Sequence, residues 1–306
     1  MGARVGRKAP PASKQGGPAP ADLAYLLVLA LIWGSSFLWI KLSLRGFSPA
    51  QNTVLRLCLG AAALRIYSLA RRAPLPRGRG VWIHLVAVAS FANVIPYFLF
   101  ALAETEIDSS IAGVLNATTP FWTAGIAASQ GMETFNRRRV AGLLVGFGGV
   151  LLIFEPWSAG SQVMSLAGLA CLAAAACYGV GFVYSARYLT GRGLTSLSLS
   201  SGQLMAAAVL GLLLIPAFGW PQVDLRADAL LGTLILGVFG TGIAYVIAYR
   251  LLANRGASGA ALVTYLLPVV AVLLGAVTLA ERVRLNVVAG VAVVLLGVGL
   301  IRAAPR

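Results

Sequence analysis

Val140-Ala141-Gly142 and, 148 residues further on, Val288-Ala289-Gly290 open two stretches that agree again at Gly149-Val150 and Gly297-Val298 and finish on Leu152-Ile153 and Leu300-Ile301. The same offset holds upstream. Glu133 matches Glu281, Pro120 matches Pro268, Ala112 matches Ala260, Ser110 matches Ser258 and Tyr97 matches Tyr245. Agreement this long in one register marks an internal duplication, so the chain is read as two copies of one unit.

The composition says where that unit lives. Of 306 residues, 59% are hydrophobic and 11% charged, with a mean hydropathy of +0.86. A water-soluble fold has no interior large enough for so much apolar surface, which leaves the membrane class. With about 20 apolar residues needed per crossing, ten spans are expected at roughly 22–41, 52–70, 82–103, 109–129, 140–155, 166–186, 196–217, 229–250, 258–279 and 286–302. Residues 1–20, rich in Pro, Ala, Gly and basic side chains, read as a disordered cytoplasmic tail. The two copies then occupy 21–155 and 156–306, five helices each. An odd number of crossings makes the second copy enter from the opposite side. The expected fold is therefore all-α and integral to the membrane, with ten transmembrane helices as two inverted five-helix repeats, the arrangement of many secondary transporters.

A net charge of +15 and a pI near 10.7 would suit a nucleic-acid binder, but the positions of the charges argue otherwise. Arg4, Arg7, Lys8 and Lys14, then Arg71, Arg72, Arg77 and Arg79, Arg137–Arg139, Arg187, Arg192, Arg250, Arg255, Arg302 and Arg306 all fall on one side of the expected topology. The other side holds Lys41, Arg45, Arg226, Arg282 and Arg284. This is the positive-inside bias, which puts both termini in the cytoplasm of a bacterial inner-membrane protein and leaves no nucleic-acid partner. Cys58, Cys171 and Cys177 lie within spans and read as packing residues. No G-x-S-x-G, paired intramembrane aspartate or His/Glu metal set is present, so neither catalysis nor a cofactor is expected.

All nine acidic residues fall at expected helix ends or loops. A cavity without fixed negative charge suits neutral or zwitterionic solutes moving down their own gradient, because proton-driven carriers usually keep a carboxylate or histidine in the pathway. Polar groups inside spans must face other helices or a wet cavity. Asn93 and Tyr97, four residues apart, share a helix face, as do their counterparts Thr241 and Tyr245. Together with Trp33, Asn116, Tyr178, Gln203 and Thr264 they are the candidate substrate contacts. Arg56, about one turn inside the outer end of its span, is read as a charge at the outer mouth. Pro96, Pro120 and Pro268 near span centres are candidate hinges, and Gly142 and Gly146 a small-residue packing face.

The stretch Leu31-Ile32-Trp33-Gly34-Ser35-Ser36-Phe37 with Lys41, the Arg56-Leu57 pair, and the run from Ala260 through Pro268 to Glu281-Arg282, Gly290 and Gly297 resemble the drug/metabolite transporter superfamily, in particular its ten-helix EamA-type members. The resemblance covers about 22–302 and adds Phe37 to the candidate contacts. It implies alternating access by a monomer or weak dimer among membrane lipids, with a small metabolite, often an amino acid moving outward, as substrate. A lipid flippase or scramblase is the alternative, to be favoured by a polar groove open to lipid.

Overall fold

The computed structural model of the chain describes residues 20–133, 136–157, 163–278 and 285–302. Among these, every regular element is helical. The first copy comprises α1 (Pro20–Gly34), α2 (Ser36–Ser43), α3 (Pro49–Ala70), α4 (Arg79–Ala89), α5 (Ile95–Ala103), α6 (Ser109–Asn116), α7 (Thr119–Ser129) and α8 (Arg137–Phe154). The second comprises α9 (Leu166–Tyr188), α10 (Ser196–Gly211), α11 (Leu214–Phe218), α12 (Ala227–Ile235), α13 (Ala244–Ala261), α14 (Val263–Thr278) and α15 (Leu285–Arg302). A π-helical segment, Ser90–Val94, joins α4 to α5, and another, Leu236–Ile243, joins α12 to α13.

Helix starts follow local chemistry. Ser48 caps α3 by accepting from the Gln51 amide while the Gln51 side chain accepts from the Ser48 amide, and Pro49 occupies the first turn, where its missing N–H costs nothing. The side chains of Asn136, Ser165 and Thr195 cap α8, α9 and α10 by accepting from the amides of Arg139, Gly168 and Ser198.

Among the described residues, six helices are long and apolar enough to cross a membrane: Ala21–Ser43, Pro49–Ala70, Arg79–Ala103, Leu166–Tyr188, Ser196–Phe218 and Ala227–Ala261. The other expected spans are shorter or interrupted. The fourth breaks into α6 and α7 around Ala117 and Thr118, α8 spends its first turn on Arg137–Arg139, and α14 has 16 residues. The first span is interrupted too, at Ser35.

The inverted relation of the copies is visible where α8 crosses α15. A Cβ on Gly142 would stand 2.9 Å from the Gly297 carbonyl oxygen, and one on Gly297 2.8 Å from that of Gly142. A Cβ on Gly149 would meet the Gly290 oxygen at 2.7 Å, and one on Gly290 the Gly149 oxygen at 2.8 Å. The start of α8 therefore lies on the end of α15 and the reverse, so the helices run antiparallel. The two contact pairs interchange under the repeat offset. Only glycine allows backbones this close. Away from this seam, α1, α2, α3, α5, α6, α9, α10, α13 and α14 each contribute side chains to one central cavity.

Candidate substrate cavity

The cavity offers about 90 Å³ to the centre of a water-sized sphere, room for several waters or one small solute. Of the residues singled out from sequence, Trp33, Phe37, Tyr97, Asn116, Tyr178, Gln203, Tyr245 and Thr264 line it, and so does Arg56. Asn93 and Thr241 do not; they stand behind the wall and hold residues that do. Gln203 Nε2 donates to Asn93 Oδ1 at 2.6 Å, and Arg56 Nε donates to Thr241 Oγ1 at 3.3 Å. Sequence reasoning missed Phe100, Phe182, Ser185 and Tyr249. Tyr249 follows Tyr245 by one turn and donates its hydroxyl to Gln203 Oε1. It has Ala101 as its repeat counterpart, so duplication gave no signal for it.

The π-helical segments explain the displaced pair. Backbone bonds there step five residues, as from the Ile95 amide to the Ser90 oxygen, so residues four apart no longer share a face. The segments also expose acceptors. Ala92 and Gly240 are equivalent under the 148-residue offset. The Ala92 carbonyl accepts from the Tyr245 hydroxyl, and the Gly240 carbonyl accepts from Trp33 Nε1 at 3.1 Å. Each copy thus fastens a cavity aromatic to the same point of its π segment, and Trp33 and Tyr245 meet edge-on with ring centres 6.1 Å apart.

Arg56 lies buried in the cavity wall. It is 3% exposed, its guanidinium carbon lies 3.6 Å from the Tyr97 ring centre, and among the described residues no carboxylate comes within ion-pair distance of it. Burying a cation costs several kcal/mol even after relaxation. A desolvated cation–π contact returns about 2 kcal/mol, and one hydrogen bond to a charged group about 1.5–3 kcal/mol. These returns are of the same order as the cost, and they leave the terminal Nη groups without a hydrogen-bond acceptor among the described residues. The cavity wall contributes no acidic side chain.

Three aromatic rings of the wall pack on one another. Phe37 meets Phe100 edge-on at 5.7 Å, and Phe100 stacks on Tyr178 at 5.9 Å. One turn beyond Phe37, Lys41 Nζ donates to the carbonyls of Glu104 (2.8 Å) and Ile107 (3.2 Å), placing a cation at the C-terminal end of α5. Glu104 lies at a helix end, as expected, but is not in water. It is 1% exposed, accepts from Ser109 Oγ at 2.8 Å, and its Oε1 has no hydrogen-bond partner among the described residues. Burial pushes its pKa up to about 8 against the opposing effects of Ser109, Lys41 and Arg56. Away from the cavity wall, Asp22 accepts from Arg255 Nε (3.0 Å) and Asn254 Nδ2 (2.9 Å), and Glu133 accepts from Ser258 and pairs with Arg139.

The three prolines sit in unlike settings. Pro96 opens α5 directly after a π segment, Pro120 opens α7 directly after the break in the fourth span, and Pro268 lies inside an unbroken α14. In the second copy the chain departs from helical geometry at Gly256, with φ 72°. A second, shallower crevice between α1–α2 and the Leu236–Ile243 segment is lined by Leu31, Trp39, Ile235 and Phe239. Its serines, Ser35 and Ser36, turn their hydroxyls back to the Ile32 carbonyl, so it presents an apolar surface.

This architecture recurs in known proteins. A solved crystal structure of a protein superposes with a TM-score of 0.72 over 92% of this chain and 96% of its own, at 23% identity, a likeness of fold. An uncharacterised transporter of Archaeoglobus fulgidus is 28% identical over 286 residues, 90% of this chain and 97% of its own. The Bacillus subtilis transporter YdfC is 26% identical over 254 residues, covering 82% and 81%. A probable amino-acid metabolite efflux pump of Escherichia coli is 24% identical over 169 residues, 55% of this chain and 54% of its own. The profile of the EamA-like transporter family matches twice, over residues 22–155 and 165–303, and the chain belongs to that family of multi-pass membrane transporters.

Proposed function

We propose that the protein is an alternating-access carrier that exports amino acids or similar small metabolites across a bacterial inner membrane, with both termini in the cytoplasm and without enzymatic activity. The observation that carries this reading is the cavity between the copies, walled by Tyr97 from one and its counterpart Tyr245 from the other. A site at the seam of two inverted halves is reached from either side as the halves rock. The aromatic lining suits a small, partly apolar solute. The Escherichia coli relative named for amino-acid metabolites directs the choice of substrate. A wall without acidic side chains supports transport driven by the substrate's own gradient.

Counterflow into proteoliposomes with amino acids, nucleosides and sugars tests the reading. At least one amino acid is expected to exchange, and a pH gradient alone is expected to drive nothing. Lipid movement without solute movement would replace this reading with a flippase, for which the apolar crevice beside Phe239 offers no headgroup path.

A further inference from the structure

The central cavity contains a cation that its own wall leaves unneutralised, and the rest of its polar lining is largely committed. Gln203 spends its amide on Asn93 and on Tyr249, and Tyr245 gives its proton to the Ala92 carbonyl. Thr264 gives its proton to the Ala261 carbonyl. Arg56 differs. Nε is held by Thr241 and one face of the guanidinium by Tyr97, which orients the group; among the described residues nothing receives the terminal Nη donors. A planar fork of this kind matches a carboxylate with two parallel hydrogen bonds.

The geometry points to Arg56 as the anchor for a single substrate carboxylate, making the cavity selective for small carboxylates, zwitterionic amino acids included, over their amides and over amines. This deepens the carrier reading and rests on it for transport, though not for binding. One guanidinium balances one negative charge, which argues for a carboxylate over a phosphate dianion. Lys41, one turn beyond Phe37, is tied to two backbone carbonyls and does not line the cavity. Beside the anchor, the faces of Trp33, Tyr178 and Tyr245 receive the apolar body, and in a zwitterion the ammonium group.

The test uses the full-length protein in detergent, heated in the presence of propanoate, 4-methylpentanoate, phenylacetate or leucine, and in parallel with the primary amide of each and with inorganic phosphate. At least one carboxylate is expected to raise the unfolding midpoint, with its amide and phosphate at least tenfold weaker. Arg56→Gln is expected to erase the difference between acid and amide, and Arg56→Lys to keep it with about tenfold weaker binding, one hydrogen-bonded fork being exchanged for a point charge. Silence toward every carboxylate, an amide as effective as its acid, or phosphate as effective as a carboxylate overturns the assignment. The wild-type series decides this even if Arg56→Gln does not fold. Counterflow of the same compounds in vesicles separates the two claims. Carboxylate binding without exchange upholds the anchor and overturns the carrier; exchange of acids and amides at equal rates upholds the carrier and overturns the anchor.

Discussion

The Arg56 guanidinium carbon lies over the Tyr97 ring, 3.6 Å from its centre, so a charge on α3 is positioned by an aromatic ring on α5. If the contact orients the anchor, the ring matters and the hydroxyl much less. Tyr97→Phe should leave counterflow nearly unchanged, whereas Tyr97→Leu should raise KM by about 2–30-fold, the equivalent of 0.5–2 kcal/mol for a cation–π contact. Membrane abundance of both variants should match the wild type, as measured by fluorescence of a fused reporter. Equal KM values for the two variants would remove the ring from the site.

Gln203 bridges Asn93 of the first π segment and Tyr249 of α13 while itself 1% exposed. Gln203→Leu would leave the Tyr249 hydroxyl without its acceptor. The expected loss is about 1–3 kcal/mol in detergent unfolding. In a double-mutant cycle with Tyr249→Phe, the coupling should be about 0.6–1.7 kcal/mol, the range for interhelical hydrogen bonds in membranes. Strict additivity would mean that the bond contributes nothing.

Glu104 should give the protein a pH-dependent stability of unusual sign for a carboxylate. Its pKa in the folded protein is raised from 4.5 to about 8, so between those values the folded state holds a proton that the unfolded state has released. Stability is then greatest below pH 4.5 as far as this group is concerned, and falls as pH rises towards 8, by up to about 1.4 kcal/mol per pH unit. Glu104→Gln should flatten that slope in a series of thermal melts. An unchanged slope would place the titrating group elsewhere.

Gly149 should tolerate no side chain, because a Cβ there would lie 2.5 Å from the Val294 amide nitrogen. Gly149→Ala is expected to cost about 1–3 kcal/mol or more by overpacking. Gly148→Ala, in the same helix with nothing within 4 Å of the added carbon, should be neutral or slightly stabilising. Comparable loss in both variants would show that the effect is general to glycine in α8 and not due to the crossing.

The large features were legible from sequence because they depend on composition and repetition. Apolar length marked the spans, the offset between Tyr97 and Tyr245 marked the duplication, and most of the polar and aromatic residues picked inside spans do reach the cavity. What sequence did not give was rotation. Whether Arg56 turns to lipid, outward or inward depends on how α3 is rolled against its neighbours, and residues such as Gly60, pressed on the Thr241 side chain, set that roll only in three dimensions. The π segments have no local signature; Ser90–Val94 reads as ordinary apolar helix. They put Asn93 and Thr241 one layer behind the wall where α-helical spacing had put them in it. The prolines are set differently, Pro96 following a π segment within one continuous helix and Pro120 opening α7.

The reciprocal glycine contacts of α8 and α15 have the form of an isologous interface, the kind two identical subunits make about a two-fold axis. Each half of the chain therefore shows the other the surface it would show a second copy of itself inserted the opposite way up. The peptide connection between the halves plays a different part. Its contribution is stoichiometric: it guarantees one half of each orientation per molecule, which frees Tyr249 and Ala101 to differ and lets the cavity between the halves lose the symmetry of its walls.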